Sequence, residues 1–159
     1  MRVRGFREGD TDGVVELWEA CGLTRAWNDP RKDIARKLSV QREMFLVVEA
    51  EGADGGGVGA DGGAVGADGG AARIVGSVMA GFEGHRGWVN YLAVAPELRG
   101  RGIARGLMAE VERMLLERGC PKINLQIREG NDAVLAFYRA LGYEPDRATS
   151  LGKRLIADD

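Results

Sequence analysis

The sequence has little that would mark a secreted, membrane-bound or metal-binding protein. Its two cysteines, Cys21 and Cys120, are far apart and match neither a CxxC pair nor a metal-ligand spacing, so we expect no disulfide and no metal. No apolar run reaches the roughly eighteen residues of a membrane helix. MRVRGFREGD at the N-terminus lacks the apolar core of a signal peptide. These absences predict a cytoplasmic protein with no membrane partner.

An excess of one charge sign is also missing. The chain has 22 Lys and Arg residues against 24 Asp and Glu, for a net charge of -2 at pH 7. No field of the whole molecule would therefore attract nucleic acid, and any anion site must be local. At 159 residues the chain has the usual length of one domain, and we expect a single domain over residues 1–159.

One stretch is of low complexity. GADGG occurs three times, at residues 52–56, 59–63 and 66–70, with a period of seven. A calcium-binding β-roll needs a nine-residue repeat, and a heptad helix needs apolar a and d positions with few glycines. This composition cannot bury enough apolar surface to offset the entropy lost on ordering. We therefore predict a solvated Gly/Ala/Asp-rich loop insertion at about residues 51–72 between two strands.

The hydrophobic periodicity of the rest predicts a chain of alternating strands and helices. Strands are predicted over residues 2–6, 44–50, 73–82, 87–95, 122–127, 142–144 and 149–156, and helices over about 11–21, 30–42, 103–118 and 131–141.

LRGRGIARG, residues 98–106, lies between an apolar strand and the strongly amphipathic third helix. Arg105 stands where a Rossmann fingerprint needs its third glycine, no register supplies a Walker A loop, and a single ordered copy does not resemble an RGG tract. A glycine-bearing loop at a helix N-terminus offers free N–H groups and a favourable dipole to an anion. The residues alone leave two interpretations open, a pyrophosphate-sized anion site near Arg99, Arg101 and Arg105 or a capped helix with solvated arginines.

The same loop resembles the acetyl-CoA signature of the GNAT superfamily of N-acetyltransferases, Arg/Gln-x-x-Gly-x-Gly/Ala. NDAVLAFYRALGY resembles the second cofactor motif of that family, and WNDP, GHRG, RGCPKI and SLGKRLI resemble the small bacterial YpeA-type acetyltransferases. The resemblance implies the GNAT fold, a mixed α/β (α+β) arrangement. Its twisted, mostly antiparallel sheet has six to seven strands, is splayed at the cofactor site and carries about four helices on both faces.

The resemblance also implies acetyl-CoA as cosubstrate, held by one strand, the signature loop and the start of the last helix. The residues that inherit these roles are Leu92, Ala93, Val94, Arg99, Gly100, Arg101, Gly102, Ile103, Ala104, Arg105, Asn131 and Tyr138.

The implied reaction is direct attack of a primary amine, from a small molecule or a protein, on the thioester in a ternary complex. It needs a neutral amine, a polarised carbonyl and a proton for the departing thiolate. A strand amide at Leu92 or Val94 can polarise the carbonyl, and Tyr138 is the candidate general acid.

The general base is less clear. Gln126 stands where some relatives that acetylate protein N-termini carry a glutamate, and an amide cannot accept a proton at neutral pH. Glu83 and His85 are candidate bases near a strand end, although both also fit an ordinary hairpin turn.

The loop between the first two helices carries Trp27, Asn28 and Asp29, which the resemblance places on the acceptor side. Asp29 also fits the cap of the second helix. The sequence does not decide between a monomer and a homodimer. A catalytically weak or inactive CoA-binding module is the alternative function, since the base is in doubt, and nucleic-acid binding is disfavoured by the charge balance.

Overall fold

The computed structural model describes residues 1–50 and 73–158, so the loop predicted at 51–72 lies outside the described residues. These described residues contain five strands and four α-helices, with single 3-10 turns at Glu8–Asp10, Arg42–Met44 and Pro96–Leu98. The strands are β1 (Arg2–Gly5), β2 (Phe45–Ala50), β3 (Arg73–Phe82), β4 (Gly87–Val94) and β5 (Ile123–Leu125). The helices are α1 (Thr11–Ala20), α2 (Pro30–Leu38), α3 (Ile103–Glu117) and α4 (Asp132–Ala140).

The strands form one sheet in the order β1-β2-β3-β4-β5, antiparallel except for the parallel pair β4 and β5. The predicted mixed class and mostly antiparallel sheet are therefore confirmed. Helices cover both faces. Ser77 of β3 bonds to Trp18 of α1, whereas a Cβ on the preceding Gly76 would lie 3.2 Å from Ile103 of α3. Since neighbouring residues of a strand point to opposite faces, α1 and α3 lie on opposite sides of β3.

The strand count predicted from sequence is too high, because residues 142–144 and 149–156 form no strand. The apolar side chains of that last segment find no sheet face to bury against, and Leu151 and Leu155 are 92% and 85% exposed. The end of the chain is held by polar contacts instead, since the guanidinium of Arg36 pairs with both carboxylate oxygens of Asp158 at 2.5 and 3.0 Å. The predicted second helix is also too long, and α2 ends at Leu38.

The last two strands separate partway along β4. Gly87–Val89 pairs with β5, and no β5 pairing continues into residues 90–94 within the described chain. At the same point β4 carries a bulge, in which Val78 of β3 lies opposite both Tyr91 and Leu92. Tyr91 has a left-handed backbone with φ of 52°. The sheet is thus split where the resemblance implied a splay.

Candidate functional site

The signature loop and the start of α3 form a helix N-terminus without a cap. Gly102 is the N-cap residue with φ of 80°, and as a glycine it has no side chain that could accept from the first turn. The first backbone N–H to bond into the helix is that of Gly106, which leaves those of Ile103, Ala104 and Arg105 without an intrahelical acceptor. No acidic residue lies in the first turn. The positive end of the helix dipole is therefore free to attract an anion.

The arginines of this loop are exposed and unpaired. The side chains of Arg99, Arg101 and Arg105 make no hydrogen bond or ion pair within the described part of the chain. Nearby arginines differ, since Arg73 pairs with Glu97 at 2.5 Å and Arg113 pairs with Glu110 at 2.7 Å. The three free guanidinium groups thus add uncompensated positive charge beside the uncapped amides, which fits a phosphate-bearing ligand.

Leu92, Ala93 and Val94 lie on β4 where it has left β5. Ala93 and Val94 pair with Ser77 and Gly76 of β3 on one side, and their other side faces the split. Backbone groups along a strand without a neighbour can pair with an extended ligand as another strand would. The thiol of Cys21 donates to the carbonyl of Val94 at 3.3 Å and fixes the end of this segment to α1.

Tyr138 of α4 is buried, with 6% of its surface exposed. Its ring packs edge-on against Phe137 and Tyr143, with centroid distances of 5.1 and 5.5 Å. Burial raises the pKa of Tyr138 to about 12, so its hydroxyl stays protonated at neutral pH. The hydroxyl has no hydrogen-bond partner among the described residues, and it is not fully buried. Tyr138 is one of the residues that line the adjoining cavity.

That cavity has a volume of about 1000 Å³ and lies between β5, the end of α3, α4 and residues 144–150. Tyr138, Gln126 and Trp88 are among its lining residues. The side-chain amide of Gln126 donates to the hydroxyl of Ser150 and is thus engaged with the tail of the chain.

Three of the residues expected at the site have local structural contacts. The carboxylate of Glu83 accepts from the backbone N–H groups of Arg86 at 2.5 Å and His85 at 3.3 Å, which closes the β3–β4 hairpin. This hairpin lies at the start of β4, where β4 is paired with β5, and therefore away from the split in the sheet. Asn131 caps α4, with its side-chain oxygen accepting from Val134 N at 3.4 Å.

The loop between α1 and α2 lies beside the bulge of β4. Asn28 donates to the hydroxyl of Tyr91 at 3.1 Å and to the carboxylate of Asp33 at 2.5 Å. Asp29 is the N-cap of α2 and accepts from Arg31 N at 2.8 Å, as its position before Pro30 suggested. Trp27 is 59% exposed and packs on none of the core aromatics.

Tyr91 is the site feature that sequence reasoning did not find. YLAV is a normal strand sequence, and a left-handed tyrosine in it arises from contacts with distant residues rather than from local preference. The strand, the Pro-led turn and the glycine-bounded helix can be read from the sequence of this region, but none of them indicates the backbone of Tyr91.

The split mixed sheet and the uncapped helix N-terminus with its three unpaired arginines are suited to an extended, phosphate-bearing ligand. The comparisons identify the family. The family model described as "Acetyltransferase (GNAT) family" matches residues 14–143. The chain belongs to the GNAT family of acetyltransferases, and the expected N-acetyltransferase is confirmed.

The chain is similar to bacterial relatives over nearly its whole length. It is 47% identical to an acetyltransferase of Pectobacterium atrosepticum and 46% identical to an uncharacterized N-acetyltransferase of Yersinia pestis. Both alignments span 158 residues, 99% of this chain and 98% of each relative. Among solved structures, the aminoglycoside-modifying AAC(6')-Iy in complex with a CoA-linked bisubstrate analogue matches with a TM-score of 0.66 at 19% identity, covering 96% of this chain and 97% of that one. The last likeness concerns the fold.

Within residues 1–50 and 73–158, no helix has the length and apolarity to cross a bilayer. No group of three or more His, Cys, Asp or Glu side chains in those ranges could hold a metal ion.

Proposed function

We propose that the protein transfers the acetyl group of acetyl-CoA to a primary amine of a small molecule or protein, by direct attack in a ternary complex. The observation that carries the proposal is the uncapped N-terminus of α3 beside three unpaired arginines, directly after a strand that has separated from its neighbour. The named CoA complex of AAC(6')-Iy supports it by analogy of fold.

The residues fit this cosubstrate in two places. The amides of Ile103, Ala104 and Arg105 would hold the pyrophosphate, with Arg99 and Arg101 adding charge. A Cβ at Gly102 would meet nothing within 4 Å, so the surface over the loop is open to a large anion. The free side of residues 92–94 would pair with the amide-bearing pantetheine arm.

The chemistry then needs groups from β4 and α4. Acetyl-CoA supplies an acyl carbon already activated by its thioester. A backbone N–H of Leu92 or Val94 would stabilise the negative charge that develops on the carbonyl oxygen. As the C–N bond forms and the C–S bond breaks, Tyr138 would give its proton to the sulfur, and the proton lost by the amine restores the tyrosine through solvent.

The general base is the open part of the proposal. The carboxylate of Glu83 already accepts from two hairpin amides, and His85 is exposed at the same turn. Gln126 cannot accept a proton. Direct attack by amine that is already neutral in solution requires no dedicated base, and the reaction would then accelerate as the pH approaches the pKa of the amine.

A catalytically inactive CoA-binding module is the second candidate, favoured by Gln126 and its bond to Ser150. Calorimetry with acetyl-CoA, followed by detection of free thiol in a panel of primary amines, separates the two. Binding with amine-dependent thiol release supports the enzyme. Binding without release for any amine supports the module, and no binding at physiological salt overturns both.

A further inference from the structure

We propose that Tyr91 is a positioning residue for the acyl thioester, which holds the bulge of β4 in the shape that aims the following backbone amides into the split. This inference rests on the proposed function. It starts from the backbone, because Tyr91 has φ of 52° and is followed directly by Leu92, the first residue expected at the carbonyl.

Residues with a branched or bulky side chain rarely adopt a left-handed backbone. Such a conformation is strained and persists only where surrounding contacts hold it in place. Gln41 is the other described non-glycine residue with positive φ, and it lies in a loop rather than within a strand. Tyr91 therefore needs compensating contacts, and the structure supplies them at the backbone, the ring and the hydroxyl.

The backbone and ring contacts come from two fully buried residues. Ser77 donates from its hydroxyl to the carbonyl of Tyr91 at 3.2 Å, and the indole N–H of Trp18 donates to the same hydroxyl at 2.8 Å. Trp18 also stacks on the ring of Tyr91, with a centroid distance of 3.9 Å and an interplanar angle of 15°. Trp18 and Ser77 each have 0% exposed surface, so neither side chain can move without disturbing the packed core.

The hydroxyl contacts come from the other side of the bulge. The hydroxyl of Tyr91 donates to Asp33 Oδ2 at 2.6 Å and accepts from Asn28 at 3.1 Å. Asp33 is held in turn by Arg36 at 3.1 Å. One side chain thereby joins the α1–α2 loop, where the acceptor is expected, to the segment expected at the thioester.

The contacts of Tyr91 should determine the direction of the Leu92 N–H rather than the affinity for acetyl-CoA. If Tyr91 relaxed to negative φ, the peptide plane between Tyr91 and Leu92 would rotate and the Leu92 N–H would point elsewhere. The pyrophosphate contacts at α3 would be unaffected. Loss of the Tyr91 contacts should therefore leave acetyl-CoA bound while weakening the hydrogen bond to its carbonyl.

Infrared difference spectroscopy of bound acetyl-CoA, labelled with ¹³C at the thioester carbonyl, measures that hydrogen bond without an acceptor. Tyr91→Phe removes the two hydroxyl contacts, and Tyr91→Leu removes the stacking as well. We expect the wild-type protein to lower the carbonyl frequency, Tyr91→Phe to lose part of that shift and Tyr91→Leu most of it. The Kd for acetyl-CoA should stay within about threefold throughout.

Asp10→Asn is the matched control. It weakens another charge-assisted pair, in which Arg4 donates to both oxygens of Asp10 at 2.7 and 2.8 Å, far along the chain from β4. Its carbonyl frequency should equal that of the wild type. An unchanged frequency in Tyr91→Phe, or a wild-type protein that binds without any shift, overturns the positioning role. Absence of acetyl-CoA binding by the wild type instead overturns the proposed function.

Discussion

The carbonyl oxygen of Gly102 accepts a hydrogen bond from the backbone nitrogen of Gly106 at 2.9 Å, and this contact closes the first turn of α3. Gly102 also has a left-handed backbone, so one residue both starts the helix and leaves the amides after it uncovered. We therefore expect the backbone, more than the arginine side chains, to make this loop suitable for a pyrophosphate.

Gly102→Val should therefore weaken acetyl-CoA binding more than Arg101→Ala. A β-branched residue is strained at φ of 80°, and its side chain would stand in the path of the ligand. We expect at least about a tenfold rise in Kd for the valine variant, against at most about fivefold for loss of one exposed charge. Isothermal titration with acetyl-CoA measures both, and equal or reversed losses would contradict the ordering.

Gly119→Val is the control for that pair. Gly119 follows the other end of α3, has φ of 73° and also has open space around its Cβ position. The substitution should lower the melting temperature in the same way as Gly102→Val while leaving the Kd for acetyl-CoA unchanged.

Tyr138→Phe should lower kcat by about 10² to 10⁴, because the thiolate would leave without a proton donor. The Kd for acetyl-CoA should not change, since the ring packing against Phe137 and Tyr143 is retained. Thiol release with the best amine of the panel measures kcat. Tyr143→Phe, which removes a hydroxyl that donates to Glu112 at 2.8 Å, is the comparison, and a kcat as low in that variant would remove the special role of Tyr138.

The pH dependence of kcat gives an independent test of the same tyrosine. A general acid must be protonated, and burial raises the pKa of Tyr138 to about 12, above the ordinary value of about 10. The rate should therefore show no alkaline decline up to about pH 10. A decline at lower pH that is absent in Tyr138→Phe would mean that the hydroxyl loses its proton more easily than its burial implies.

Asp158→Asn should reduce the dependence of stability on acid pH. The hydrogen bonds from Arg36 hold the pKa of Asp158 below its ordinary value. A lowered folded-state pKa gives stability that is present above the unfolded pKa of about 3.9 and is lost as the pH falls through the folded value. The difference in urea midpoint between the wild type and the variant should thus be largest near neutral pH and shrink below about pH 4.

Asp12→Asn is the matched control for that experiment. Asp12 also pairs with an arginine of α2, Arg31, at 2.6 Å, but its side chain is 79% exposed. Its urea midpoint should stay close to that of the wild type at every pH, because exposed ion pairs contribute little. A pH-independent difference for Asp158→Asn would contradict the assignment.

Deletion of residues 52–71 should leave both stability and acetyl-CoA affinity unchanged. Ala50 and Arg73 are register partners at the ends of β2 and β3, so a short turn can join the two strands. The thermal midpoint and the calorimetric Kd of the shortened protein check this. A loss of affinity without a loss of stability would give the segment a part in binding.

Most of the fold could be predicted because its elements are locally encoded. Pro30 after Asp29 marks the start of α2, and the apolar stripe of Leu107, Val111 and Leu115 identifies α3, whose buried face it forms. The tail could not be predicted this way. Leu155 and its neighbours have the composition of a strand, but a strand also needs a partner edge, and that depends on the whole molecule.

Some features of the candidate site could likewise be predicted from the sequence, and others could not. Gly100 and Gly102 could be identified because only glycine adopts positive φ at little cost. A glycine in this loop therefore indicates a left-handed backbone at its position. Tyr91 has the same backbone for the opposite reason. Contacts with Trp18, Ser77 and Asp33, distant in the sequence, impose it, and no local pattern reports them.

The ion pair between Arg36 and Asp158 bears on how the protein should be handled. Asp158 is 6% exposed and is held on α2, whose Asp33 contacts Tyr91. An affinity tag that disturbs this pair would act on Arg36, which also bonds to Asp33, and through Asp33 on the contacts of Tyr91. Kinetic comparisons should therefore use protein from which such a tag has been cleaved.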